Sequence, residues 1–344
     1  MKVDIQKLIR KNILNLEPYS SARDEFKGEN GIFLDANENP FGELNRYPDP
    51  YQSKVKQKLS EINQISTENI FLGNGSDEVI DLAFRIFCEP KKDKVLTFSP
   101  TYGMYKVSAN INDVELINLD LNDDFQINLE TLKPYLKDEN LKIIFICSPN
   151  NPTGNSIKNI KYILENFNGI VFIDEAYSDF SPEESFRNQI KNYPNLIVSQ
   201  TFSKAWAMAS VRVGIAYASK EIIKFYNNVK PPYNISQLNQ DTILNTLSNK
   251  KINQVSENIK IIQKEKKNLI ESLKKINLVK KTFHSDANFI LIEVENADSV
   301  YKELVNKNVI IRNRNSVIKN CLRITIGSPE ENEKLIQALQ NINN

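Results

Sequence analysis

Lys142-Ile143-Ile144-Phe145-Ile146-Cys147-Ser148-Pro149-Asn150-Asn151-Pro152-Thr153-Gly154 opens the stretch that decides the fold. Its first part is an apolar run with no polar alternation, which suits a strand buried on both faces. Two prolines and two asparagines then make a loop. Ile157 to Asn166 reads as a helix, and Ile170-Val171-Phe172-Ile173 as a second buried strand, closed by Asp174-Glu175-Ala176-Tyr177. Strand, helix, strand with apolar strands predicts parallel pairing covered on both faces.

The same alternation extends both ways. Upstream, Ile70-Phe71-Leu72-Gly73 is a strand, and Asn74-Gly75-Ser76-Asp77-Glu78 turns into a helix. Strands at Lys94 to Phe98 and Val114 to Leu119 are followed by helical patterns at Tyr102 to Asn110 and Leu129 to Leu136 in the order strand, helix, strand, helix. Downstream come Asn195 to Val198 and Val213 to Ala218. These predict an α/β fold with a mainly parallel, seven-stranded-type sheet and helices on both faces, in a large domain over residues 46–250. Residues 251–277 read as one long connector helix. Strand and helix signals resume at Ala287 to Val294, Ser299 to Asn306, Val309 to Arg312, Cys321 to Ile326 and Glu330 to Asn341. They make a smaller α/β domain within 251–344. The N-terminal segment, residues 1–45, reads as a helix over 1–17 and then loop, and is expected to pack with the small domain.

Composition removes several function classes. The chain has 344 residues, enough for about two domains. Lysine and arginine number 44 against 43 acidic residues, so no basic excess points to nucleic acid or to an anionic membrane. Nothing approaches the roughly 20 apolar residues of a membrane span, and the N-terminus lacks the apolar core of a signal peptide. A cytoplasmic location is expected. Three scattered cysteines and one histidine, His284, give little material for disulfides, a metal cluster or a serine-type triad. No metal site is expected, and His284 reads as a surface residue. Catalysis has to rest on Lys, Asp, Tyr, Asn and Arg, or on a cofactor.

Lys204 is the first candidate. It lies in Thr201-Phe202-Ser203-Lys204, between two apolar strands and without an acidic neighbour, and Arg212 follows eight residues on. Partial burial would lower its pKa and make it a usable amine nucleophile. Two hydroxyls and a guanidinium beside it suit an aldehyde carrying a phosphate, such as pyridoxal phosphate; an ordinary solvated loop lysine is the plainer alternative. Gly73-Asn74-Gly75-Ser76-Asp77-Glu78 offers free amides to an anion at a helix start, or simply caps that helix. Asp174 follows four apolar residues and needs a partner if buried. A cationic pyridine nitrogen would serve, although a capping role for Asp174 and a packing role for Tyr177 remain open. The asparagine loop stands where doubly wound sheets place ligands.

These pieces occur in a set order, together with Leu34-Asp35-Ala36-Asn37-Glu38-Asn39-Pro40, Arg46-Tyr47-Pro48-Asp49, Pro100-Thr101-Tyr102-Gly103-Met104-Tyr105 and Cys321-Leu322-Arg323-Ile324-Thr325-Ile326-Gly327. In that order the chain resembles, over nearly its whole length, the fold-type I pyridoxal-phosphate aminotransferases of the aspartate-aminotransferase superfamily. Within them it is most similar to the histidinol-phosphate aminotransferase family. It departs from the family pattern at Ser210, where glycine is usual, and at Trp206, where phenylalanine is commoner.

The resemblance implies pyridoxal 5'-phosphate as cofactor, held as a Schiff base on Lys204, which also shuttles the proton. It gives Asp174 the pyridine nitrogen, Asn151 and Tyr177 the ring oxygen, and Tyr102 the ring face. The amides of Ser76 and Asp77, the hydroxyls of Thr201 and Ser203, and Arg212 would hold the cofactor phosphate. Tyr47 would reach the phosphate in a neighbouring subunit, so a homodimer is implied. Arg323 would bind the glutamate carboxylate and the substrate phosphate, with Tyr19 and Arg312 assisting at the phosphate and Asn37 in the substrate-side loop. The implied reaction transfers an amino group between L-histidinol phosphate and 2-oxoglutarate, a step of histidine biosynthesis. Two rivals share the scaffold: a threonine-phosphate decarboxylase and an aromatic or broad-specificity aminotransferase. A non-catalytic pyridoxal-phosphate sensor is disfavoured, because the chain has no leftover basic domain.

Overall fold

The computed structural model describes residues 3–19 and 31–342. The large sheet is built from β1 (Ile70–Asn74), β2 (Lys94–Ser99), β3 (Glu115–Asp120), β4 (Leu141–Cys147), β5 (Ile170–Asp174), β6 (Leu196–Thr201) and β7 (Val213–Ala218), in the order β1-β7-β6-β5-β4-β2-β3. Only β7 runs against its neighbours; β6, β5, β4, β2 and β3 pair in parallel.

The apolar runs explain this arrangement. Successive side chains of a strand point to opposite faces, and here both faces are covered. Ile143, Phe145, Phe172 and Ile197 enter the core on one side. Ile144, Ile146, Val171, Ile173 and Val198 enter the core on the other. The edge strand β3 is the exception, mostly half-buried or exposed.

The small sheet contains β8 (Val279–Thr282), β9 (Phe289–Val294), β10 (Arg312–Asn313) and β11 (Cys321–Thr325), in the order β10-β11-β9-β8 and antiparallel throughout. The end of the long helix Asn249–Leu273 and the helices Ala297–Asn306 and Pro329–Gln340 cover it. A capping box starts the last of these: the Glu331 amide donates to Ser328 Oγ, and the Ser328 amide to the Glu331 carboxylate. Strand β8 was not expected, because half of it is lysine, at a sheet edge that leaves Lys280 and Lys281 exposed.

Two expectations for the N-terminus do not hold. The helix over 1–17 is a short 3-10 turn, Ile5–Leu8, and a single helical turn, Lys11–Leu14, separated by extended backbone at Ile9 and Arg10. This segment packs on the large domain, not the small one. Ile5, Ile9 and Ile13 join the core with Val79, Ile80, Phe84 and Ile222. The Arg10 amide donates to Ile86 O at 3.0 Å, and its side chain pairs with Glu89 at 3.3 Å. Apolar residues four apart supply the adhesive face, and the helix Ser76–Phe87 offers a complementary one. Residues 1, 2 and 20–30 of the expected 1–45 segment lie outside the described residues.

Candidate active site

Parallel pairing brings the strand ends into line. Cys147 stands beside Asp174, and Asp174 beside Ser199. The chain therefore leaves β4, β5 and β6 at one edge, where open α/β sheets bind ligands. β1 runs in the same direction as β6, since both oppose β7. The helix Ser76–Phe87 thus starts at that edge too, and β7 begins there just after Arg212.

A cavity of about 130 Å³ opens at this edge. It gathers every sequence-predicted cofactor residue except Tyr47: Ser76 and Asp77 from the helix start, Tyr102, Asn151 after β4, Asp174 at the end of β5 and Tyr177 beyond it, Thr201 at the end of β6, and Ser203, Lys204 and Arg212 beyond it.

One wall suits an anion. Gly75 has φ +78°, and a Cβ there would lie 2.5 Å from the Arg212 guanidinium. Only glycine lets the arginine approach this closely to a helix start whose first amides have no partner within the helix. A Cβ on Gly214 would likewise strike the backbone of Gly75 and Ser76. Arg212 adopts a left-handed φ of +56°, uncommon for a side chain of its size. Its Nη2 lies 3.4 Å from Asp77, which also accepts the Tyr102 hydroxyl at 3.0 Å.

Another part of the lining suits a cation. Asp174 is 2% exposed and forms no ion pair among the described residues. It accepts the Tyr105 hydroxyl at 2.9 Å and the Ala176 amide at 3.1 Å. Burial pushes its pKa up to about 6, against those hydrogen bonds. A buried carboxylate without a direct ion pair, with Lys204 its only cationic influence among the described residues, fits a protonated ring nitrogen. Glu175, next in sequence, is also buried but saturated: Ser185, Gln200 and the Phe186 amide all donate to it. It is structural.

Lys204 is exposed through the cavity mouth. Partial burial of its ammonium, then the nearby Arg323, lowers its pKa, and Asp174 works against that. Its Nζ lies 5.7 Å from the centre of the Tyr177 ring. Trp206 packs edge-on against Phe202 at 5.5 Å, and Ser210 sits in a short exposed turn leading to Arg212, so neither departure from the family pattern fills the cavity.

The two loop asparagines separate. Asn150 is bound into the loop by Thr101, Pro100 O and Thr153. Asn151 lines the cavity and accepts from the Arg323 guanidinium, which also lies over the Phe289 ring at 5.1 Å. Arg323 thus brings the small sheet to the rim. Burial lowers its pKa, and Tyr177 opposes that.

Other predicted substrate residues stand apart from the cavity. Arg312 lies opposite Arg323 in register and is exposed. Tyr47 and Asn37 line a separate hollow, where Tyr47 stacks on Tyr233 at 4.4 Å. Tyr19 borders a groove with Tyr51 and Lys230 and is 68% exposed. Tyr105 was missed. It is fully buried, stacked on Phe145 and edge-on to Tyr102. The signal was a tyrosine three residues after Tyr102, one helical turn on.

The profile of the family described as aminotransferase class I and II matches residues 24–339. The chain is 52% identical to a histidinol-phosphate aminotransferase of Christiangramia forsetii, over 99% of each chain. It is 51% identical to that of Flavobacterium psychrophilum, over 98% of each. The crystal structure of the histidinol-phosphate aminotransferase from Clostridium acetobutylicum resembles it with a TM-score of 0.79 and 28% identity, over 86% of this chain and 90% of that one.

Proposed function

The chain belongs to the class I and II aminotransferases, and among them to the histidinol-phosphate aminotransferases; on that premise we propose that it transfers an amino group between L-histidinol phosphate and 2-oxoglutarate, giving imidazole acetol phosphate and L-glutamate in histidine biosynthesis. The family depends on pyridoxal 5'-phosphate. The observation that carries the reading is that one cavity is lined by a buried carboxylate, Asp174, by an arginine-backed helix start and by Lys204.

Pyridoxal 5'-phosphate, when bound, supplies the electron sink for the pair left on the α carbon and carries the amino group between half-reactions. The chain's own residues do the rest. Lys204 would attach the cofactor and then act as the base whose Nζ takes the proton from the α carbon and delivers it to the cofactor carbon that receives the amino group; its lowered pKa favours the free amine. Asp174 holds the ring nitrogen as a cation and is itself held by Tyr105. Tyr102 covers the ring face, and Asn151 and Tyr177 bond the ring oxygen. The Ser76 and Asp77 amides, Thr201, Ser203 and Arg212 hold the phosphate. Arg323 forks onto the carboxylate or phosphate of the substrate, aided at the phosphate by Arg312 and Tyr19, with Asn37 in the substrate-side loop.

A homodimer belongs to the same proposal, with Tyr47 serving the cofactor phosphate of the partner subunit. In support, Tyr47 lies away from its own chain's cavity, and Ile32, Leu34, Phe41 and Leu44 nearby are 69% exposed or more. Apolar surface of this kind marks an interaction site. No helix among the described residues is long and apolar enough to cross a membrane. The three cysteines are buried and unpaired, in keeping with the reducing cytoplasm where we place the reaction.

The test is glutamate-dependent turnover with histidinol phosphate set against phenylalanine. A strong preference for histidinol phosphate is expected, and equal use of both would point to a broad-specificity enzyme. Absorbance spectra with glutamate alone separate transamination from decarboxylation, because only a transaminase accumulates the pyridoxamine form.

A further inference from the structure

Arg323 has company that its partner Asn151 does not account for. Strand β10 sets Arg312 opposite Arg323, and two residues on, the Arg314 amide donates to Cys321 O at 2.9 Å. Side chains alternate along extended chain, and Asn313, between Arg312 and Arg314, marks one face; Asn315 already belongs to the turn that follows. Asn313 and Asn315 both turn to the helix Ala297–Asn306, where they donate to the two oxygens of Asp298 at 2.6 and 2.8 Å. Arg312 and Arg314 therefore share the opposite face, the face from which Arg323 reaches the cavity rim.

Arg314 has no countercharge there among the described residues. Its Nε is buried without an acceptor. Burial, then Arg323 and Arg312, all lower its proton affinity, and no carboxylate offsets them. The carboxylate that this loop does engage, Asp298, is taken by two neutral amides. A half-buried guanidinium among two others is unfavourable unless an anion joins them. The arrangement suits a site that an anion visits.

We propose that Arg314 completes a three-guanidinium cradle with Arg312 and Arg323, and that it selects amino donors bearing a phosphate monoester over donors bearing only a carboxylate. The proposal rests on the function proposed above. A carboxylate has two acceptor oxygens and is satisfied by the single fork of Arg323. A phosphate dianion presents three oxygens and more charge, and accepts from a second and third fork at once. Arg314 is thus a specificity residue, and its loss should spare glutamate.

The test uses holoenzyme, in which the cofactor occupies its own phosphate cradle. Arg314→Gln and Arg314→Lys are compared with wild type in two ways: calorimetric titration with inorganic phosphate, and half-reaction kinetics with histidinol phosphate and with glutamate separately. Arg314→Gln should weaken phosphate binding and raise the KM for histidinol phosphate by roughly tenfold or more, while glutamate changes by less than about threefold. Arg314→Lys should recover part of the loss. Equal losses for both donors, or unchanged phosphate affinity, would overturn the proposal, and so would failure of both variants to fold, since Arg314 would then be structural. A wild-type enzyme that ignores histidinol phosphate would sink the proposed function instead. The phosphate titration would still decide the cradle.

Discussion

The two sheets meet at one cavity, but they offer anions different kinds of grip. The large sheet presents a helix start and one arginine locked against Gly75, all on rigid strand ends. The small sheet presents Arg312 on its two-residue edge strand, Arg314 just beyond that strand, and Arg323 on the neighbouring one. Backbone amides cannot change their reach, so they suit an anion that stays in place. Long side chains can, so they suit anions that are exchanged. In the proposed reaction the first is the cofactor phosphate, and the second alternates between a carboxylate and a phosphate.

If that division is right, damage at the large sheet should remove chemistry, and damage at the small sheet should remove only binding. Lys204→Ala gives the largest effect. Turnover should fall by at least about 10⁴-fold, because the attachment point and the base go together. The absorbance of the lysine-bound cofactor should vanish with it. Near-wild-type turnover would break the assignment at its centre.

Asp174→Asn comes next. A neutral amide cannot hold a cationic ring nitrogen, so single-turnover rates with glutamate should drop by about 10²-fold or more. The carboxyl also has a signature in stability. Its folded pKa is raised to about 6, above the ordinary value near 4. As pH rises through that window, the unfolded chain releases the proton first. The cofactor-free protein should therefore lose stability between about pH 4 and 6, by roughly 3 kcal/mol. Asp174→Asn should remove that loss. Thermal melts of both proteins across this range decide it, and parallel curves would mean that Asp174 is not raised.

Arg323→Lys keeps the charge and loses the fork. Both donors should bind about tenfold to a hundredfold more weakly, with little change in the rate at saturation. A fall in that rate instead would place Arg323 in the chemistry and blur the division. Tyr47→Phe should weaken cofactor retention by about tenfold, one hydrogen bond to a charged group. Mixing Tyr47→Phe subunits with Lys204→Ala subunits should regenerate some intact sites. No recovery on mixing would argue against a role across the interface. Arg312→Ala should have the smallest effect, several-fold on histidinol phosphate and almost none on glutamate. Identical effects on the two donors would mean that the small sheet does not read phosphate.

The sequence by itself determined the strands of the large sheet and which candidate residues gather at their ends. Unbroken apolar runs can be satisfied only by burial on both faces, and the motif residues sit within a few positions of those runs. Asp174, Asn151, Lys204 and Arg212 were legible for that reason. Tertiary structure alone decided what meets across distance. Tyr105 reaches Asp174 from 69 residues away, and Arg323 reaches Asn151 from 172. Neither contact leaves a periodic trace. Tertiary structure also set Ile5, Ile9 and Ile13 on the large domain, where a matching apolar face was open, and left Arg314 Nε buried without an acceptor. Local periodicity records that a residue is buried; only the packing of distant elements says against what.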